Sequence, residues 1–475
     1  MSSIAKNTAW MTLASVGQKM ISFVYFTLIA RSIGVEGTGK YFFALSFTTI
    51  FVVFVDLGLT SVLVREAAKT KEKIQDYVST ILSVKVVLGL LSYAVVLLAI
   101  NLLGYSAETK HLVYLSGVTM LFDSLHLTLY GVLRALNDLR YEAMSIVGSQ
   151  LLTLILGSSF LLAGLPLIFL ILAFTIPSFI NVCFALTVLC RKYCVSLRPR
   201  YEGAIFRHLA RMAAPFAVAA ILARFYSYTD SILLSKLAGD VAVGLYSIPY
   251  KITYAFQFVP LALVAALYPR FSEYFEGNQG RLAYVFERGI KYLLIMVLPI
   301  VVGISLLAKD IVLSVYTAEY LNSIIPLQIL LAGLIFSYVS FPIGAFLNAC
   351  NRQTTQTVIV AIVLAVNVVL NIVLIPRLGV VGAAISALAG NILLTVLGYA
   401  VVPSIANIHH GWLAKTVLQV VTAAGVMGIF VWRVNAMSHF TVAILAGAVV
   451  YPLMLIVLRV VTVEQLKEAV RLVKY

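Results

Sequence analysis

The chain has 475 residues, 62% of them hydrophobic and 11% charged, with a mean hydropathy of +1.02. A soluble domain is about 45–50% apolar and about 25% charged, so this composition excludes a water-exposed globular surface and specifies an all-α polytopic membrane protein. The formal charge of +15 sits in short clusters beside apolar runs, the pattern of loops flanking membrane spans rather than of a nucleic-acid surface.

A span needs about 20 mainly apolar residues. Fourteen such stretches follow in chain order: roughly 8–30, 41–64, 77–103, 111–133, 141–164, 166–190, 209–237, 241–268, 289–308, 322–349, 355–376, 378–403, 412–434 and 438–459. The first run is long enough to remain as a span rather than be removed as a signal peptide. Lys and Arg alternate between the loops. With the N-terminus, the even-numbered loops and the tail on one side, 23 fall there, seven fall on the other side, and Lys19, Lys85, Arg224 and Lys251 lie within spans. This bias places both termini in the cytoplasm of a cell-membrane protein. The loop 191–211, with six Arg or Lys residues, is expected to attract anionic headgroups. The tail 462–475 opens with a capping box, Thr462 to Gln465, and aligns Leu466, Val470 and Val473 on one face, as an interfacial helix does. The four cysteines have no metal-ligand spacing, and neither a metal nor a cofactor is expected.

One short stretch invites a different function. GVEGTGKY, 34–41, nearly matches a phosphate-cradling P-loop, with Tyr41 where a Ser or Thr should hold Mg²⁺. No strand precedes it, and it falls between the first two spans on the outer side, so nucleotide chemistry is excluded. GDVAVGLY, 239–246, repeats it at an offset of 205, pairing Gly34 with Gly239, Gly39 with Gly244 and Tyr41 with Tyr246. Leu-x-Ala-x-Asn recurs at 133–137 and 347–351. The echoes predict two pseudo-symmetric six-helix lobes, 1–195 and 196–404, followed by two further helices and the tail over 405–475. Transporters built from parallel repeats bind substrate near the midplane.

The 205 offset also pairs Lys19 with Arg224, each near the middle of the first span of its lobe. A cation there costs about 2.5–3.5 kcal/mol on insertion scales, which argues for a use. Each stands in a polar stripe at helical spacing, with Ser22 beside Lys19 and Ser227 beside Arg224. A substrate-facing, water-filled cavity is one account; snorkelling or pairing with an acid is the other. Lys251 is a third cavity cation. Lys85 is close enough to a span end to snorkel. Asp56 and Asp230 are acids able to neutralise a cation or take up a coupling ion. The fourth span carries Ser116, Thr119, Asp123, His126, Tyr130 and Arg134 on one stripe. Asp123 and His126, at i and i+3, form a structural pair or an ion-coupling site.

NTAW near the start, TLIARSIGVEGTGKYFFALSF, the run YTDSILLSKLAGDVAVGLYSIPYKI at 228–252, Pro215, Pro269 and GVVGAAISALAGN at 379–391 resemble the polysaccharide and oligosaccharide flippases of the multidrug/oligosaccharidyl-lipid/polysaccharide exporter superfamily. The resemblance covers nearly the whole chain. It implies two six-helix lobes plus two helices, alternating access, and export of a polyprenyl-pyrophosphate-linked glycan with no catalytic residues. Cavity cations of that family meet the lipid pyrophosphate, and Lys19, Arg224 and Lys251 look like their counterparts. The implied partners are the lipid-linked glycan, membrane lipid, a coupling H⁺ or Na⁺ and the glycan-assembly enzymes, with no nucleic acid. Two alternatives remain. A cation-coupled multidrug antiporter of the same superfamily is expected to use acidic cavity residues; a membrane glycosyltransferase or polymerase needs a sizeable outer loop with acids or arginines.

Overall fold

In lipid, every backbone N–H and C=O must find its partner within the protein, and the described chain meets that demand with helices. The computed structural model describes residues 3–195, 198 and 200–461, with side chains from residue 10 onward; the expected tail helix over 462–475 lies outside them. No strand occurs among the described residues. The helices are α1 (Ser3–Asp56), α2 (Leu59–Lys69), α3 (Ile74–Leu102), α4 (Ala107–Ala135), α5 (Arg140–Leu162), α6 (Ile168–Lys192), α7 (Gly203–Phe256) and α8 (Phe258–Gly277). There follow α9 (Gln279–Leu306), α10 (Ala308–Val315), α11 (Ile324–Ala349), α12 (Gln353–Leu378), α13 (Val380–Val401), α14 (His410–Met437) and α15 (Phe440–Val457).

Two of these helices are hairpins. In α1 the rings of Phe26 and Phe42 stand 6.4 Å apart, although a separation of sixteen residues would span about 24 Å of straight helix. The chain reverses at Gly34, midway, where φ is 70° and ψ −179°, a region open essentially to glycine alone. In α7 the Tyr246 hydroxyl donates to Asp230 at 3.2 Å across the same sequence distance, and the reversal is at Gly239, φ 82° and ψ 179°. The loop expected over 31–40 is thus a single residue, because glycine lets the helix turn back without a linker.

The second glycines of the motif have another task. A Cβ on Gly39 would stand 1.9 Å from the Asp240 carbonyl oxygen, and one on Gly244 would stand 2.0 Å from that of Val35. Each turn packs backbone to backbone against the residue that follows the other's reversal. The P-loop-like stretch is half of an interlocked pair of turns.

Twelve helical stretches among the described residues are long and apolar enough to cross a membrane. Two of them, Trp10–Asp56 and Gly203–Gly277, contain the reversals, so the fourteen expected crossings are present.

The chain forms two compact units, Met1–Ser247 and Ile248–Tyr475. In the first, α4 packs on α1, α2, α3 and α6, and α1 on α5. Its core near α2 joins Leu63, Val78, Val132, Leu133, Ala185 and Leu209, none of them exposed. Between α1 and α2 the helix breaks at Leu57 and Gly58, both with positive φ. In the second unit, α11 packs against α8, α9 and α13, and the α14–α15 pair packs on α9. The Phe346 ring of α11 lies tilted 4.8 Å from that of Phe286 of α9 and edge-on 5.3 Å from that of Phe271 of α8.

Candidate functional site

The polar stripe of α4 is the spine of the first unit's interior, and nearly every member reaches a different helix. Ser116 bonds Thr48 of α1 at 2.7 Å, and Thr119 bonds Thr175 of α6 at 2.7 Å. Asp123 accepts from Ser178 of α6 at 2.6 Å, while His126 Nδ1 lies 3.6 Å from the same carboxylate. Tyr130 bonds Ser145 of α5, which donates to Asn181 of α6 at 2.5 Å. Arg134 holds the buried Glu142 of α5 through two guanidinium nitrogens. Residues at i, i+3 and i+4 share one helix face, so one stripe can bridge several neighbours. A hydrogen-bonded polar chain of this kind is the form in which polar groups persist within a span.

A second cluster lies on the adjacent face of α4. Lys85 of α3, its side chain fully buried, bonds Asp56 at the end of α1, Thr60 Oγ1 at 2.9 Å, Thr128 Oγ1 at 2.6 Å and Ser124 Oγ at 3.4 Å. Lys85 does not snorkel. It stands eleven residues into α3, about 16 Å from the helix start, and the break at Leu57–Gly58 brings Asp56 within its reach. Asp56 also accepts from the Thr60 backbone N–H at 3.3 Å, so one carboxylate pairs with the lysine and takes up an N–H of the first turn of α2 across the break.

The other sequence candidates stand elsewhere. Lys19 and Ser22 are half-buried on the first arm of α1. Arg224 and Ser227 are exposed on the first arm of α7, where Ser227 donates to its own helix at Ala223 O, 2.9 Å. Asp230 is buried beside Tyr246. Lys251 is half-buried on α7 in the second unit. Among the described residues no cluster of His, Cys, Asp and Glu suits a metal ion. Sequence reasoning missed Glu142, Ser178 and Asn181 as partners; the available signal was that α5 and α6 each carry polar residues at helical spacing.

At the turn, Lys40 bridges Glu36 and Glu108, each at 2.8 Å. Those hydrogen bonds, Glu108 first and then Glu36, push the Lys40 ammonium up from its ordinary value. The Lys40 hydrogen bond in turn holds the Glu36 carboxyl below the usual range. The lysine of the P-loop-like motif is committed to two carboxylates.

Comparisons with known proteins agree with this architecture. The chain is 24% identical to a protein of Haloferax volcanii named "Probable low-salt glycan biosynthesis flippase Agl15", with 99% of each chain covered. It is 26% identical to a "Putative O-antigen transporter" of Shigella flexneri, over 81% of this chain and 94% of that one. A solved structure titled "Lipid II flippase MurJ, inward closed conformation" superposes with a TM-score of 0.78, covering 94% of this chain and 98% of that one at 17% identity, and so shares the fold. The MatE family model matches residues 215–373. The model described as "Polysaccharide biosynthesis protein" matches residues 4–275; it spans more than half of the chain, which therefore belongs to the polysaccharide biosynthesis protein family.

Proposed function

We propose that the protein is a flippase that moves a polyprenyl-pyrophosphate-linked oligosaccharide from the inner to the outer leaflet of the cell membrane by alternating access, with both termini in the cytoplasm. The observation that carries this reading is the end-to-end match, within a polysaccharide biosynthesis family, to a relative named as a glycan biosynthesis flippase. The chemistry supports it. A lipid diphosphate needs cations within the membrane, and Lys19 and Arg224 occupy the same place on the first arms of two hairpins reversed by equivalent glycines. Neither is sealed from solvent as Lys85 is. Ser22 and Ser227 flank them for sugar or phosphate oxygens, and Lys251 supplies a third cation in the second unit. That unit also holds an apolar cavity of about 380 Å³ among α9, α14 and α15, lined by residues such as Ile300, Met427, Val431 and Tyr451, a surface suited to a prenyl chain.

With an inside-negative potential, outward movement of the diphosphate is favoured by about 2.3 kcal/mol per unit negative charge per 100 mV. Compensating H⁺ or Na⁺ movement would use the intramembrane acids. Of these, Asp123 beside His126 is the pair able to exchange a proton, Asp230 is a second candidate, and Asp56 is already engaged by Lys85. Glycan-assembly enzymes on the cytoplasmic side would deliver the substrate, which leaves chemically unchanged; no catalytic residue is required. The MatE match favours a second reading, a cation-coupled multidrug antiporter.

Reconstitution separates the two. Vesicles containing the purified protein and a fluorescent polyprenyl-pyrophosphate oligosaccharide should transfer the glycan to the opposite leaflet, measured by its accessibility to an added glycosidase or quencher. Absence of transfer, with export of cationic dyes instead, would replace the flippase by the antiporter.

A further inference from the structure

Beside Arg224 the first unit carries an aromatic ladder. Along the second arm of α1, the rings of Phe43, Phe47, Phe51 and Phe54 follow one another at 5.5, 5.2 and 6.2 Å. The ladder is tied to the first arm of α7 at both ends. Phe54 meets Phe225 edge-on at 6.3 Å. Phe43 stacks on Tyr105 at 4.6 Å, and the Lys236 ammonium lies 5.7 Å from that same Tyr105 ring. Eleven residues separate Phe43 from Phe54, and eleven separate Phe225 from Lys236, about 17 Å of helix in each case. The two arms therefore lie side by side over that length.

Arg224, Ser227, Ser231 and Ser235, spaced three, four and four, share one face of the α7 arm. The seam is graded along its length. Beneath the interlocked turns, Phe43, Phe47, Ser231 and Ser235 are buried, and the Ser231 hydroxyl has no hydrogen-bond partner among the described residues. At the end remote from the turns, Arg224 and Ser227 are exposed, and Phe51, Phe54 and Phe225 are half-buried. The Ser227 hydroxyl spends its proton on Ala223 O, which leaves its oxygen able to accept.

Flat apolar rings beside a hydroxyl stripe and a guanidinium match the chemistry of a sugar. A pyranose presents C–H groups on its faces, which leave water favourably for an aromatic ring, and hydroxyls at its rim, which need partners when they do. In a lipid-linked glycan the first sugar is bonded to the diphosphate itself. A diphosphate held by Arg224 therefore brings that sugar to Phe225 and the rings that Phe225 meets.

We infer that Phe51, Phe54 and Phe225 form a stacking platform for the first sugar of the glycan, with the Ser227 oxygen accepting from its rim. Ser231 is the next hydroxyl on the path, reached once the turns part. The inference rests on the transport reading for the diphosphate and adds the place of the sugar.

The purified full-length protein in detergent is titrated by calorimetry with two probes, farnesyl diphosphate and the same compound carrying N-acetylglucosamine on its terminal phosphate. The sugar-bearing probe should bind about tenfold more tightly, the scale of burying one apolar ring face. Phe51→Leu and Phe54→Leu should each reduce that preference, while the affinity for farnesyl diphosphate and the unliganded Tm stay near those of the parent. Phe54→Trp should keep the preference, because it keeps a flat face. Arg224→Gln should weaken both probes alike. Equal affinity of the parent for the two probes, or a preference that survives Phe51→Leu with Phe54→Leu, would overturn the platform and leave the diphosphate reading standing. Loss of both affinities together with a lowered Tm in the leucine variants would make the ladder structural and overturn it too. Binding of neither probe by the parent would overturn the platform and the diphosphate reading together.

Discussion

Two regions of the first unit hold cations within membrane helices, and they treat them in opposite ways. In the middle of α3, Lys85 is sealed, with a carboxylate and three hydroxyls around it. On the first arms of α1 and α7, Lys19 is half-buried and Arg224 exposed. A cation that serves the fold is surrounded by fixed partners, since a buried charge without them costs several kcal/mol. A cation that serves a passing ligand must keep its donors reachable. If Lys19 and Arg224 grip the substrate as proposed, the difference is that between a structural charge and a working one.

The largest expected effect comes from breaking the sealed site. Lys85→Ala leaves Asp56 without its cation and should destabilise the protein by about 3–5 kcal/mol, the usual cost of removing one partner of a buried pair. Yield in the membrane and the Tm of purified protein measure it. Lys85→Met combined with Asp56→Asn should recover much of that loss, because the remaining groups are neutral and of similar volume. If Lys85→Ala instead folds normally and only transport fails, Lys85 is a working cation and the contrast collapses.

Next come the reachable cations. Lys19→Ala and Arg224→Ala should insert and fold as the parent does, while glycan transfer falls at least about tenfold, as expected for loss of a charge-assisted hydrogen bond. Lys19→Arg should keep more activity than Lys19→Gln, since it keeps the charge. Arg224→Lys should lose more than Lys19→Arg, because a forked contact becomes a point charge. Should the two residues hold one diphosphate, the double alanine variant will lose less than the sum of the singles. Misfolding of the alanine variants would move both residues into the structural class.

The same contrast indicates what the sequence could reveal. Gly34 and Gly239 were legible because a fixed offset aligned two motifs, and the reversal they permit leaves few alternatives to glycine. The α4 stripe was legible from helical spacing, but the partners were not: Thr48, Thr175, Ser178 and Glu142 come from three other helices, and periodicity along one helix carries no information about its neighbours. Lys85 was misjudged for a related reason. Its distance from a span end suggested snorkelling, whereas its environment depends on the break at Leu57 and Gly58, and an isolated glycine in a helical pattern does not by itself announce a break.

The smallest effect belongs to Lys40, the lysine of the P-loop-like stretch, whose two carboxylate partners face solvent. It lies at the turn, its side chain 16% exposed, between Glu36 and Glu108, which are 62% and 52% exposed. Water screens such pairs, and exposed ion pairs contribute little to stability. Lys40→Ala should therefore leave glycan transfer essentially intact, shift the Tm only slightly, and reveal no nucleotide hydrolysis to lose. The pH dependence has a definite sign. The Glu36 carboxyl is held below its ordinary range by Lys40, so its contribution is present above the unfolded value and lost as pH falls through the folded one. Lys40 is pushed up, so its contribution is present below the unfolded lysine value and lost only as pH rises through the higher folded value. The parent and Lys40→Ala should thus differ in Tm by a constant small amount near neutrality, with the gap closing in acid. A gap that widens in acid would mean that Lys40 is held by something other than its two carboxylates, and ATP turnover abolished by the substitution would restore the P-loop reading that the reversal at Gly34 otherwise excludes.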